Sequence, residues 1–401
     1  MDDQTRSGRW ANWGRALRAL LLGPRRDVLA HPVDGRWPRV PLEIVPDIAP
    51  TPTDVAHAER LLAAFSRCRA SGATERREGQ SDLWTEIRQR QATFFGVLDA
   101  GDPAALAAYL CNMNRHDATT GTVQGDGEYR RLRRSPRYRR FLAHMAKDKL
   151  VSLAEAVGAI PCENPEQGTW GQNIHRDHDQ LVGAIEATLG LEITPPPIDG
   201  GLLKMRTSRG LFNERDLNAL YTAWSVRQLF PDELPAVAEI GGGAGRVAYW
   251  SCRLGIREYT IVDLPHINVI QGFYLLKALP EAQVVLYGEP RGTTTGPRIV
   301  ILPAHAREEV ADQSVDVVLN QDSFPEIHRQ IVLDYLAWIQ RVSRRYFYSI
   351  NHESRPPSTV GGTQLNVPEL IGTVTGYRRL SRTPYWLRRG YVAELYRLQR
   401  S

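Results

Sequence analysis

At 401 residues with 42% apolar side chains, the chain is long enough for two or three folded units, and a single core of that size would be unusual. No run of about 20 apolar residues is present, which argues against a membrane-spanning helix, and the apolar stretch at 19–22 is too short for the core of a secretory leader. The formal charge of +5 is modest, and the four cysteines (Cys68, Cys111, Cys162, Cys252) are scattered without a CxxC pair, as reduced, structural thiols of a cytoplasmic protein would be.

In chain order, Trp10, Trp13, Leu17, Leu20 and Leu21 share one helix face opposite Arg15 and Arg18. Such a segment can lie on a membrane surface, although packing on its own domain is the simpler expectation. Residues up to 55 are otherwise irregular and proline-rich. Helical periodicity runs over 54–70 and 82–111, with Asp102-Pro103 as a helix-start signal. Arginines crowd residues 130–140 around Tyr129, Tyr138 and Phe141, either as a phosphate-binding surface or as a solvated face. Segments 136–158 and 176–190 read as helices. His175, Asp177, His178 and Asp179 offer donors to a metal, yet no cysteine or glutamate completes a familiar set, so no metal site is assigned. Residues 195–201 have the composition of a linker, and 208–230 reads as one more helix. Residues 1–200 are therefore expected to form a mainly helical N-terminal region, suited to acceptor recognition or homo-oligomerisation.

Over residues 201–401 the pattern becomes α/β. Strands are expected at 236–240, 259–263, 315–319 and 345–350, alternating with helices at 244–254, 266–279 and 331–341. Two short apolar runs, 283–287 and 298–302, flank a hairpin or an inserted loop, and 377–380 with 391–398 suggests a terminal antiparallel pair. Strand–helix alternation implies a Rossmann-like parallel sheet, with ligands at the carboxyl ends of its strands. Residues 239–245, Asp263, 320–326 and 351–353 all fall at such ends.

The first of these clusters is Glu239-x-Gly241-Gly242-Gly243-x-Gly245. A dinucleotide fold needs a glycine where this chain has Arg246, so that fingerprint fails. The spacing instead resembles the first motif of class I S-adenosylmethionine-dependent methyltransferases, in which the glycines admit the methionine half of the cofactor. Asp263 follows the second strand roughly 20 residues on, where an acid meets a ribose in Rossmann-like folds. Further along, Asp263-Leu264-Pro265, Gln271, Ile301-Leu302-Pro303, Asn320-Gln321-Asp322-Ser323-Phe324-Pro325-Glu326 and Tyr348-Ser349-Ile350-Asn351 resemble the family of sugar O-methyltransferases over about residues 205–398. The Asn-x-Asp-Ser-Phe-x-Glu block is the most specific part of that likeness. The resemblance implies S-adenosylmethionine as cofactor and methyl transfer to a hydroxyl of a sugar or glycosylated metabolite. Glu239, Gly241, Gly242, Gly243, Gly245, Asp263, Leu264 and Asn320 are then the candidate cofactor residues.

A sugar hydroxyl is a weak nucleophile, so methylation needs a base within hydrogen-bond reach. Asp322 is the first candidate, with Glu326 and His352 next; Asn320 contacts the cofactor or fixes the turn. Divalent metals assist some reactions on vicinal hydroxyls, without specific support in this sequence. Two other functions compete. Methylation of RNA or protein would use the arginines at 130–140, but the Asn/Asp-Pro-Pro-Tyr of adenine amino-methylating enzymes is missing at residues 320–323. A non-catalytic protein that kept the fold would have no physical need for the intact acid–glycine set.

Overall fold

The computed structural model describes residues 29–31, 37–71, 83–354 and 364–399. The amphipathic segment around Trp10 and Leu21 lies outside the described residues. After strand β1 (Leu42–Ile44), Thr51 opens helix α1 (Pro52–Ala70) through a reciprocal capping box with Asp54. The expected 82–111 helix is divided into α2 (Leu83–Arg90), α3 (Ala92–Ala100) and α4 (Pro103–Cys111). Gln91 leaves helical dihedrals at ψ 25°, and Gly101 turns left-handed at φ 67°. Asp102 caps α4 by accepting from the amides of Ala104 and Ala105, with Pro103 in the first turn. Helices α5 (Gly125–Arg134), α6 (Pro136–Ala156) and α7 (His178–Leu189) follow.

The proline-rich stretch before residue 201 is packed. Ile193, Ile198, Asp199 and Leu202 are buried, so this connection belongs to the core. Strand β2 (Leu203–Thr207) pairs antiparallel with both β1 and β3 (Gly210–Phe212), a three-stranded sheet that the sequence pattern does not show. Helix α8 (Glu214–Gln228) therefore starts later than the expected 208, once β3 has ended and Asn213 supplies a capping box with Asp216.

The second half is a mixed eight-stranded sheet. Its elements are β4 (Ala236–Ile240), α9 (Arg246–Arg253), β5 (Glu258–Asp263), α10 (Pro265–Ala278), β6 (Gln283–Val285), β7 (Arg298–Pro303), β8 (Val315–Gln321), α11 (Arg329–Val342), β9 (Ser343–His352), α12 (Val367–Ile371), β10 (Tyr377–Pro384) and β11 (Tyr391–Leu398). The spatial order is β10-β11-β9-β8-β4-β5-β7-β6, with the last two strands of the chain antiparallel as expected. Of the two readings for 283–302, the hairpin is excluded: β6 and β7 are parallel, Gln283 beside Arg298. The residues between them are enough for a crossover, which needs about a dozen. The chain builds outward from β4 on one side, then returns to lay β8 against its other edge. That reversal opens a crevice at the carboxyl ends of β4 and β8, the place where open α/β sheets bind ligands. On one sheet face a single apolar cluster joins Leu61, Phe94 and Leu150 of the helical half to Trp250, Ile261 and Tyr274. The opposite face packs on α11 and α12 through Phe324, Leu336, Trp338 and Leu370.

Candidate active site

Strand β4 ends at Ile240, and the chain turns at once. Gly241 has φ 74°, and a Cβ there would collide with the Ser323 side chain, so both its dihedral and its neighbour require glycine. Gly243 (φ 54°) has the reverse surroundings: nothing lies within 4 Å of where its Cβ would be, so that face of the turn is open. Gly245 is the N-cap of α9. Asn320, at the end of β8, is fully buried and fixes this turn. Its Nδ2 donates to Ile240 O (3.1 Å) and to Ser323 Oγ (2.5 Å), while its Oδ1 accepts from Asn351 Nδ2 (3.0 Å).

Beside the turn is a cavity of about 460 Å³, lined by Glu239, Gly241, Gly242, Gly243, Asp263 and Leu264 among others. Gly245 and Asn320 do not line it; they hold the turn that does. Glu239 is 2% exposed, and its Oε2 accepts from Tyr259 OH at 2.9 Å. Burial pushes its carboxyl up to about 8, opposed by the Tyr259 hydrogen bond and reinforced by the charge of Asp263. Asp263 is half-buried. Its Oδ1 accepts from the Leu264 amide (2.8 Å) and its Oδ2 from Gln271 Nε2 (2.7 Å). Asn268 in turn donates to Gln271 Oε1, which fixes the orientation of the Gln271 amide. Desolvation raises Asp263 to about 7 against these hydrogen bonds. Both carboxyls line the cavity, and a cation bound beside them would favour their ionised form.

Asp322, just past β8 and with φ 59°, lines the same cavity. A non-glycine residue in that region is uncommon, and such outliers gather at functional sites. The surroundings over-determine it. Its amide donates to Ile350 O (3.0 Å) and Asn351 Oδ1 (3.1 Å); its Oδ2 accepts from Arg388 Nη1 (2.5 Å) and its Oδ1 from Tyr391 OH (2.6 Å). The Arg388 guanidinium also lies 3.7 Å from the Tyr391 ring centroid. Glu326 lines the same cavity. His352 does not: it sits at the end of β9 with its ring edge-on to Tyr391.

Several lining residues escape sequence reading. Arg388 comes from the β10–β11 turn and meets Asp322 only because the hairpin folds back along β9. Gly121, Thr122 and Val123 come from a loop of the helical half, and Arg215 and Asn218 from α8. For Arg215 the capping pattern Asn213-x-x-Asp216 is a signal of position, though not of role. The arginines at 130–140 are all exposed, and none lines the cavity. Asp177 is the cap of α7, and Asp179 accepts from the Ser208 amide at 2.7 Å. Among the described residues no group of three or more His, Cys, Asp or Glu is placed to hold a metal ion, and no helix is long and apolar enough to cross a membrane.

No family model and no curated protein matches the chain. Solved structures similar to part of it include the 1,6-didemethyltoxoflavin-N1-methyltransferase of Burkholderia thailandensis with bound S-adenosylhomocysteine (18% identity over 45% of this chain and 79% of that one, TM-score 0.34). Others are the magnesium protoporphyrin IX methyltransferase of Synechocystis PCC 6803 with bound SAM (12%, 46% and 83%, TM-score 0.31) and the glycopeptide N-methyltransferase MtfA complexed with S-adenosylhomocysteine (14%, 45% and 90%, TM-score 0.35). At these identities and scores the likeness carries neither substrate nor reaction to this chain.

Proposed function

We propose that the chain is an S-adenosylmethionine-dependent O-methyltransferase acting on a hydroxyl of a sugar or glycosylated metabolite. The observation that carries this reading is one cavity lined by the glycine turn, Asp263 and the left-handed Asp322. The residues present fit the cofactor: open backbone at Gly243, a carboxylate oriented by Gln271, and buried acids that a cationic ligand would favour in their charged form. When bound, S-adenosylmethionine supplies a methyl group already activated on a positively charged sulfur. Asp263 would accept from the ribose hydroxyls, and the glycines at 241–243 would allow close approach of the methionine half. Asp322 would accept the proton of the acceptor hydroxyl as that oxygen takes up the methyl group, the methyl–sulfur bond breaking to leave the neutral thioether. Arg388 and Tyr391 hold that carboxylate in place while leaving each oxygen a second acceptor site. Glu326 is the alternative base.

The sugar assignment draws on the resemblance around residues 320–326. Incubation with methyl-labelled S-adenosylmethionine and a panel of sugars and glycosides, with and without magnesium, tests it. A labelled methyl ether supports it; label found only on nitrogen or carbon acceptors overturns it. A second reading, methylation of RNA or protein, has the exposed arginines at 130–140 in its favour. In that segment Tyr129 and Tyr138 are half-buried and Arg131 covers the Tyr138 ring at 4.0 Å, which leaves no exposed ring for base stacking.

A further inference from the structure

Four arginines line the cavity, and three are committed to partners. Arg246 donates to Asp216 and, at 2.8 Å, to Asp199. Arg388 holds Asp322. Arg307 pairs with Glu308 at 3.2 Å and stacks 4.9 Å from the centroid of Tyr335. Arg215 differs. Among the described residues its ion pairing is limited to the adjacent Glu214, at 3.7 Å and beyond hydrogen-bond reach. Its Nε is buried without a hydrogen-bond partner. The side chain is 34% exposed and lines the cavity.

Its position is fixed. The next residue, Asp216, is held by Arg246, which directly follows Gly245, so the first turn of α8 is tied to the end of the glycine turn. One helical turn on, Asn218 lines the same cavity, 6% exposed, and its Nδ2 is the group it can offer to a carboxylate as donor. A guanidinium offers a planar fork of donors and no acceptor, the geometry a carboxylate matches. The neighbouring cavity acids, Glu239 and Asp263, carry no positive charge in either protonation state and so give a ligand carboxylate no counter-ion. We infer that Arg215, with Asn218 beside it, is a carboxylate-binding corner of the cavity. This inference rests on the methyltransferase reading. The carboxylate has two available sources: the amino-acid end of S-adenosylmethionine, or an acid group on the acceptor such as that of a uronic acid.

The test titrates S-adenosylhomocysteine and 5′-methylthioadenosine, which lacks the amino-acid end, into wild type, Arg215→Gln and Arg215→Lys. If the cofactor supplies the carboxylate, Arg215→Gln weakens S-adenosylhomocysteine about tenfold or more, leaves methylthioadenosine unchanged, and Arg215→Lys recovers part of the loss. If the acceptor supplies it, both nucleosides bind Arg215→Gln normally. Glucuronate or galacturonate then raises the melting temperature of the S-adenosylhomocysteine-loaded wild type but not of the variant. Equal loss of both nucleosides, or no difference between wild type and Arg215→Gln in either arm, overturns the inference. A wild type that binds neither nucleoside instead removes the methyltransferase reading itself, which separates the two failures.

Discussion

Glu239 and Asp263 stand close enough to repel one another, and both are drawn out of water, so they share a consequence for pH. Between the ordinary Glu value of 4.5 and about 8, the folded chain keeps protons that the unfolded chain has released. These carboxyls therefore add stability below that window and lose it as pH rises through it. On the proposed reading, cofactor binding should respond in the opposite sense, because ribose hydroxyls would donate to an ionised Asp263. Affinity for S-adenosylhomocysteine should rise from pH ~6 to ~8, by at most about tenfold per unit where the slope is steepest. Asp263→Asn should flatten that profile; an unchanged profile would detach the titration from Asp263. Asp322→Asn should lower turnover by about 100-fold or more, as loss of a positioned base does, while leaving S-adenosylhomocysteine affinity nearly intact. Equal losses in both would make Asp322 a cofactor residue. At this scale the sequence is informative about Glu239 and Asp263, whose spacing carries the motif. It is silent on Arg388, whose contact with Asp322 depends on hairpin register.

At the scale of elements, the glycine turn and the β8 loop are one unit. Ser323 of the loop packs where Gly241 would have a side chain, and Asn320 clamps both to the carbonyl of Ile240. Gly241→Ala forces a Cβ into Ser323 at a left-handed φ and should destabilise the fold by about 1–3 kcal/mol, read as a lower melting temperature. Pairing it with Ser323→Gly should recover part of that loss; no recovery would place the strain elsewhere. Strand–helix alternation makes the central sheet legible, since its apolar runs and turn residues agree with the fold. Where short apolar runs carry no direction, as at 283–302, a parallel pair cannot be told from a hairpin.

For the whole molecule, the division near residue 200 marks a change of pattern within one shared core. Leu61 of α1 would lie 2.5 Å from a Cβ at Gly272 in α10, and Lys277 pairs with Asp54 at 2.8 Å. Buried Asp199 joins Lys204 (2.7 Å) and Arg246; burial alone would raise its carboxyl, yet these two charges hold it down at about 2. Composition alone marks this segment as a linker because prolines and glycines dominate it, while its one acid finds its partners only after folding. Arg246→Met would leave Asp199 and Asp216 short of a buried cation and should cost about 3–5 kcal/mol, measured by denaturant unfolding. A fragment of residues 201–401 should show no cooperative melt, since it would expose the surface that α1 covers; a sharp transition would show two independent domains. The central claim, that Asp263 and the glycine turn form a nucleoside-cofactor site, is tested most directly by calorimetric titration with S-adenosylhomocysteine. Saturable binding that Asp263→Ala weakens by about 1–3 kcal/mol is the predicted result. A folded wild-type chain that takes up no S-adenosylhomocysteine would contradict it.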